Sequence, residues 1–233
     1  MPKPPRPWTV TPHDPIEKID DNLWAVESPV PGVPIRRRMC IIKRSDGQLL
    51  FHNAVPLDDQ TLAEVTAWGK PAFLVIPHDQ HGIDAHGFQQ KLGVKIYGPK
   101  KSEAKLRARW EVAGTIEELP PDPAVMFESL DGTKTGEPVG IVRSGDRVSL
   151  LFADAYQDNT GYKLPLPLRM LGFGGGPKIV PIFKWLFTQD KAALKAHFDR
   201  LAALPGLERI VPCHGAIKRS DAAATLKQVA SSA

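Results

Sequence analysis

Short apolar runs alternate with turn residues along the whole chain. Residues 16–19 and 23–27 flank Asp20-Asp21-Asn22, and residues 39–43 and 49–52 flank Ser45-Asp46-Gly47. Both patterns predict hairpins, and Asp-Gly between apolar runs is the stronger signal. Asp58 is placed to cap a helix that carries Leu62, Val65 and Trp68 on one face and stops at Gly69. Residues 72–76 are continuously apolar, as a strand covered on both faces would be. A helix is expected shortly after them, then a short strand at 94–97 and a basic helix at 100–109. Residues 110–119 fit neither period. Strands follow at 124–128, 139–143 and 148–152, the last two joined across Ser144-Gly145-Asp146.

The period then fails. Residues 157–181 hold Gly172, Gly174, Gly175, Gly176 and four prolines, and are expected to be a lid. Asp190 caps a helix with Leu194, His197, Phe198, Leu201 and Leu204 on its apolar side, where His197 reads as a core histidine. A last strand at 209–212 and a helix at 221–230 close the pattern. Hairpins first and helices late predict an α/β protein of two sheets with helices outside, an α/β/β/α sandwich. The expected organisation is a single domain over 16–233, preceded by a Pro-rich N-terminal arm, 1–15, that carries six prolines and lies on the surface or moves freely.

Composition narrows the classes. Apolar residues make up 42% of the 233, normal for a packed core. The net charge of +4 is only mildly basic, and the basic face around Lys100, Lys101, Lys105, Arg107 and Arg109 has no interleaved aromatics. Nucleic acid is therefore not an expected partner. Arg36-Arg37-Arg38 is expected to be a solvated strand entry, with attraction of an anionic substrate as the lesser reading. Two cysteines, Cys40 and Cys213, make no disulfide framework. With no secretory h-region and no apolar run of about 20 residues, a cytoplasmic protein without a membrane partner is expected.

The chemistry concentrates at strand ends. Residues 76–87 read Ile-Pro-His-Asp-Gln-His-Gly-Ile-Asp-Ala-His-Gly, so three of the seven histidines fall within nine residues. Asp154 follows Leu150-Leu151-Phe152-Ala153, and His214 follows Ile210-Val211-Pro212-Cys213. In α/β folds such positions converge on one edge. A carboxylate adjoining an apolar strand needs a metal, a cation or backbone donors if buried. Asp84 has two readings, metal ligand or N-cap of the following helix. His214 and Asp154 have two as well, shared ligation or a metal-free hydrogen-bonded pair. Cys213 reads as a packed thiol, since neighbours on a strand point apart.

These segments, from about Leu23 to the last helix, resemble the metallo-β-lactamase superfamily in kind and order. The family signature reads His-x-His-x-Asp-His, then a separate His, a bridging Asp and a final His, which together hold two metal ions. With Asp84 as the motif Asp, the motif histidines fall on Gln80, Gly82 and Ala85, and the separate His on Thr133. Asp154 matches the bridging Asp and His214 the final His. The resemblance thus implies a reduced site in a degenerate branch: Asp84, Asp154 and His214 as ligands, with His81 as fourth ligand or orienting group. His78, His86, His52 and Thr133 are expected at the rim or behind it. No catalytic base is assigned. The implied cofactor is one divalent ion, zinc, manganese or iron, or none. The implied function is hydrolysis of a small ester- or amide-type substrate beneath the 157–181 lid. The competing expectation is a metal-free protein that binds a ligand or partner. Neither substrate nor oligomeric state follows from the sequence.

Overall fold

A computed structural model describes residues 6–231 of the chain. Strands β1 (Glu17–Asp20), β2 (Leu23–Pro29), β3 (Arg36–Lys43) and β4 (Gln48–His52) run antiparallel. Helix α1 (Asp59–Trp68) leads to β5 (Lys70–Val75), α2 (Ala85–Leu92) to β6 (Lys95–Gly98), and α3 (Glu103–Arg107) to β7 (Val112–Thr115). These strands form one sheet in chain order, parallel from β4 to β7. The expected cap is present: the Asp58 carboxylate accepts from the Thr61 amide at 2.7 Å.

The second sheet is built from β8 (Val125–Ser129), β9 (Pro138–Ser144) and β10 (Arg147–Phe152), all antiparallel. Next come β11 (Gln157–Asn159), α4 (Leu166–Met170), β12 (Gly175–Lys178), α5 (Pro181–Phe187) and α6 (Lys191–Ala202). Strand β13 (Leu207–Pro212) then lies parallel to β10, giving the order β13-β10-β9-β8, and α7 (Ala222–Ser231) packs outside. The segment expected to be a featureless lid is thus a two-stranded ribbon, β11 with β12, carrying two short helices.

The side-chain period of two explains the layers. Leu23 and Ala25, Cys40 and Ile42, Leu50, and Phe73 and Val75 turn one way, onto Val125, Phe127, Val142, Leu151 and Val211 of the other sheet. Their neighbours Trp24, Val26, Met39, Ile41, Leu49 and Phe51 turn the other way, onto Leu62 and Val65 of α1 and Phe88 of α2. On the second sheet Ile141, Leu150, Phe152 and Ile210 meet Phe198 and Leu201 of α6 and Leu226 and Val229 of α7. This is the α/β/β/α sandwich. Both sheets are covered on both faces, which is why their strands read as continuous apolar runs.

Of the expected arm, residues 1–5 lie outside the described residues. The rest has no regular element but is tied down. Trp8 packs on Phe88 with ring centroids 4.9 Å apart and donates Nε1–H to the Leu57 carbonyl.

The arginine run is not a solvated entry. It lies inside β3, and Arg37 and Arg38 are buried. Alternation sends Arg37 to one face and Arg36 and Arg38 to the other, and each guanidinium has a carboxylate to meet: Asp84 for Arg37, Glu27 for Arg36 and Arg38. Paired charge is what makes burial of arginine tolerable.

Candidate metal centre

The centre forms where β5, β10 and β13 end. Beyond β5 the chain turns, with the His81 amide donating to the His78 carbonyl at 3.0 Å. That turn brings the two imidazoles together, ring centroids 4.5 Å apart. Both rings reach one oxygen of Asp154: Nε2 of His78 lies 2.9 Å and Nε2 of His81 3.2 Å from Oδ2. His214 faces the other oxygen, Nε2 to Oδ1, from 3.6 Å. Parallel pairing of β10 and β13 places Asp154 and His214 at the same sheet edge.

Several neighbours hold this arrangement. The Nδ1–H of His214 donates to the Arg36 carbonyl at 2.6 Å, so in the neutral ring the Nε2 lone pair faces Asp154. Arg38 donates to the carbonyls of Pro212 and Gly215, bracketing Cys213 and His214. Gly215 has φ +101°, and a Cβ there would stand 2.0 Å from the Asp158 carbonyl oxygen, so the turn behind His214 requires glycine. Glu137 is buried and its Oε1 accepts from the amides of Ala153, Asp154 and Ala155, each at 3.0 Å. It fixes the backbone that carries Asp154.

The electrostatics favour an ionised Asp154 carboxylate with a neutral His81 beside it. Burial resists charge on Asp154, but His81 and His78 hold its carboxyl well below the usual range. Burial lowers His81, to about 4, despite the carboxylate beside it. His78 is raised: burial opposes its charge, and the hydrogen bond to Asp154 together with the charges of Asp154, Glu137 and Asp79 outweighs that. Its Nδ1 accepts from the Gln80 amide at 3.3 Å, a contact that a charged ring would lose. Glu137 is pushed up to about 7, first by burial and then by Asp154.

Two overlapping sets, His78 with His81 and Asp154, and His81 with Cys213 and His214, bring their donor atoms within 4.8 Å of one another. Ligands about 2.0–2.2 Å from a tetrahedral ion stand about 3.4 Å apart. The 3.2 Å from His81 and the 3.6 Å from His214 are close to that spacing but run to different oxygens of Asp154, and these three residues together form neither set. Imidazoles beside a carboxylate are a donor set that zinc, manganese or iron accepts. Each set therefore offers three donors to one divalent ion, with His81 common to both.

The sequence-expected residues divide. His81, Asp154 and His214 come together. Asp84 does not join them: its Oδ2 accepts from Arg37 at 2.5 Å, and Arg6 lies 3.3 Å from Oδ1. Nor does it cap α2, since its side chain makes no cap hydrogen bond. The Arg37 guanidinium from β3, two strands away from β5, outcompeted both roles. His78, expected at the rim, touches Asp154 directly. Thr133 lines a small cavity with Glu137 and Asp154, and its hydroxyl donates to the Leu130 carbonyl. His52 is buried beside Phe127, lowered to about 3 by burial and by His81, and belongs to neither donor set. His86 sits in the first turn of α2, also outside both sets.

Cys213 and Glu137 were not foreseen as site residues. Cys213 is buried, as a packed thiol would be, yet its Sγ accepts from Asn53 at 2.8 Å and lies 3.8 Å from His81 Nδ1. Burial and Asp154 push its thiol up. Asn53 adopts φ 66°, which turns β4 into the site. Glu137 did carry a signal, a carboxylate directly before the apolar run of β9.

An opening of about 160 Å³ leads to the donors, lined by Arg37, Asn53, His81, Asp154, His214 and Phe183. Phe183 of α5 lines it, and the Phe187 ring lies 5.9 Å from His78 beside a smaller neighbouring cavity. The residues over the site thus belong to α5, beyond the 157–181 segment expected to cover it, of which Ile179 alone lines either cavity.

Neither a protein-family model nor a curated protein sequence matches the chain. Solved structures do. The chain is similar to DIM-1 metallo-β-lactamase exposed to ceftazidime, at 14% identity over 96% of this chain and 99% of that one, TM-score 0.63. It is similar to the metallo-β-lactamase from Pontibacter korlensis at 12% identity, over 94% and 99%, TM-score 0.61. To TMB-1 the figures are 15%, 93% and 96%, with TM-score 0.60.

Proposed function

We propose, on the premise that the chain has the metallo-β-lactamase superfamily fold, a metal-dependent hydrolase with a single-ion site held by His81, Asp154 and His214, acting on a small ester- or amide-type substrate. One observation carries the reading. Imidazoles from two remote segments meet at the carboxylate of a third, and the Arg36 carbonyl fixes His214 in the tautomer that offers its lone pair inward. Such an ion supplies Lewis acidity and brings the pKa of a water toward neutrality.

The chain's own groups account for the rest. Burial keeps His81 uncharged at neutral pH, as a ligand must be. Glu137 and the three amides it engages fix Asp154 in place. His78 closes the far side of the carboxylate, and Cys213 lies behind His81. Phe183 and Phe187 exclude water from above, and Arg37 and Asn53 line the entry where a substrate would approach.

The test is titration of the metal-free protein with zinc, manganese and iron(II), followed by assays against small esters and amides. Binding of one ion per chain, with hydrolysis that chelator removes and metal restores, is expected. Stabilisation by a metabolite and by no metal would instead favour the competing ligand-binding reading.

A further inference from the structure

The outer surface of the segment over the site is unlike the rest of the molecule. Of nine exposed large apolar residues among those described, five lie here: Leu166, Met170, Leu171, Trp185 and Leu186. Met170 and Trp185 are 80% and 79% exposed. Helix α5 explains part of this. Its sequence Pro-Ile-Phe-Lys-Trp-Leu-Phe has one polar residue, so it is apolar around its whole circumference. Phe183 and Phe187, four apart, turn inward over the metal centre, which leaves Trp185 and Leu186 outside. A helix apolar all round is normally covered on every side. The two short helices share one base: the Phe173 and Phe183 rings lie 5.9 Å apart, and a Cβ on Gly172 would touch Pro181.

Charge distinguishes the candidates for what covers this surface. Between Asp158 and Asp190 the chain carries Lys163, Arg169, Lys178 and Lys184, and no carboxylate. A symmetric dimer would set this cationic segment against itself, because such an interface pairs each patch with its own copy. An anionic bilayer surface offers both things the patch lacks, an apolar layer for Trp, Met and Leu and negative headgroups for Lys and Arg. The geometry points to the α4–α5 segment as an interfacial docking surface for anionic lipid. The chain would lie on the membrane with the entrance of its site close to the headgroups. No helix among the described residues is long and apolar enough to cross a bilayer, so the contact is peripheral. The proposal departs from the expectation that no membrane partner exists, and it does not depend on metal in the site.

The experiment is co-sedimentation of the full chain with vesicles of phosphatidylcholine alone and of phosphatidylcholine with phosphatidylglycerol. Trp185, the one highly exposed tryptophan of five, reports insertion by its emission. Preference for the anionic vesicles of at least about tenfold, weakened by salt, is expected, with a blue shift on binding. The double variant Met170→Ser, Trp185→Ser loses the co-sedimentation, and Met170→Ser with Leu166→Ser, which keeps the reporter, weakens both the binding and the blue shift. Lys163→Glu with Arg169→Glu, which leaves the apolar residues intact, loses the preference for phosphatidylglycerol. Equal partition into both vesicles, or no binding, would overturn the proposal. So would a concentration-dependent dimer that the serine variant abolishes, since a second copy would then be the occupant.

Discussion

Asp84 and Asp154 are both buried carboxylates near the ends of apolar strands, and their partners differ in kind. Asp84 meets two guanidiniums, Arg37 and Arg6, which carry full charge at any working pH. Asp154 meets three imidazoles, His78, His81 and His214, whose charge burial opposes at His81. The first group is a buried ion pair in which two cations answer one carboxylate, though Asp84 Oδ1 and Arg37 Nε are left without hydrogen bonds. The second is a carboxylate whose charge is only partly answered, among nitrogens that can release protons. On the proposed reading a metal ion would complete the second and not the first. The residue type is the same; the kind of neighbour, guanidinium or imidazole, sets the two apart.

The largest effect should come from breaking the buried ion pair. Arg37→Met leaves Asp84 buried without its main partner, and denaturant unfolding should show a loss of about 3–5 kcal/mol. Replacing both members by apolar residues should restore most of it. If Arg37→Met abolished zinc binding in protein that remains folded, the two carboxylates would not be separable in this way.

Next is Asp154→Asn. Calorimetric titration with zinc should show affinity reduced about 100-fold or more, with one anionic ligand gone. Unchanged affinity would remove Asp154 from the ligand set.

The third effect is on pH. The folded-state values of His52 and His81 are depressed to about 3 and about 4, so below about 6.5 the unfolded chain binds more protons than the folded one. In the parent chain Glu137, raised to about 7 in the fold, takes up a proton over the same range and with His78 offsets most of this loss, so the effect is read in metal-free Glu137→Gln protein, which should lose about 1–2 kcal/mol between pH 7 and pH 5.5. Thermal melts across that range would expose a flat profile, which would contradict neutral burial of these rings.

The smallest effect belongs to Glu137→Gln. Oε1 still faces the three amides, while the charge behind Asp154 is removed. Metal affinity should fall about tenfold, as for other groups that orient a ligand, with little change in stability.

Much of the fold was legible in the order of apolar runs. The hairpins at 16–27 and 39–52, the Asp58 cap, the parallel strand at 72–76 and the late helices all follow from local periodicity and turn chemistry. Residues 157–181 were not legible as ribbon and helices, because β11 and β12 are short and Gly-rich and form only against each other. At the site, Asp154 and His214 were legible as polar residues at the ends of buried strands. Asp84 looked equally promising because one-dimensional spacing cannot show that Arg37, 47 residues earlier, lies across from it. His78 was undervalued for the same reason: the turn that carries it to Asp154 exists only with the loop folded.

By itself the sequence determined the layering of this protein and the strand ends at which its chemistry would gather. Both depend on hydrophobic period and turn residues, which are local. Only the tertiary structure decided which carboxylate is answered by arginine and which is left facing imidazoles. It also decided that the Arg36 carbonyl sets the tautomer of His214 and that the outer face of α5 is left bare. Those outcomes depend on which charges and lone pairs come within a few ångströms across the sheets, and no spacing along the chain encodes that distance.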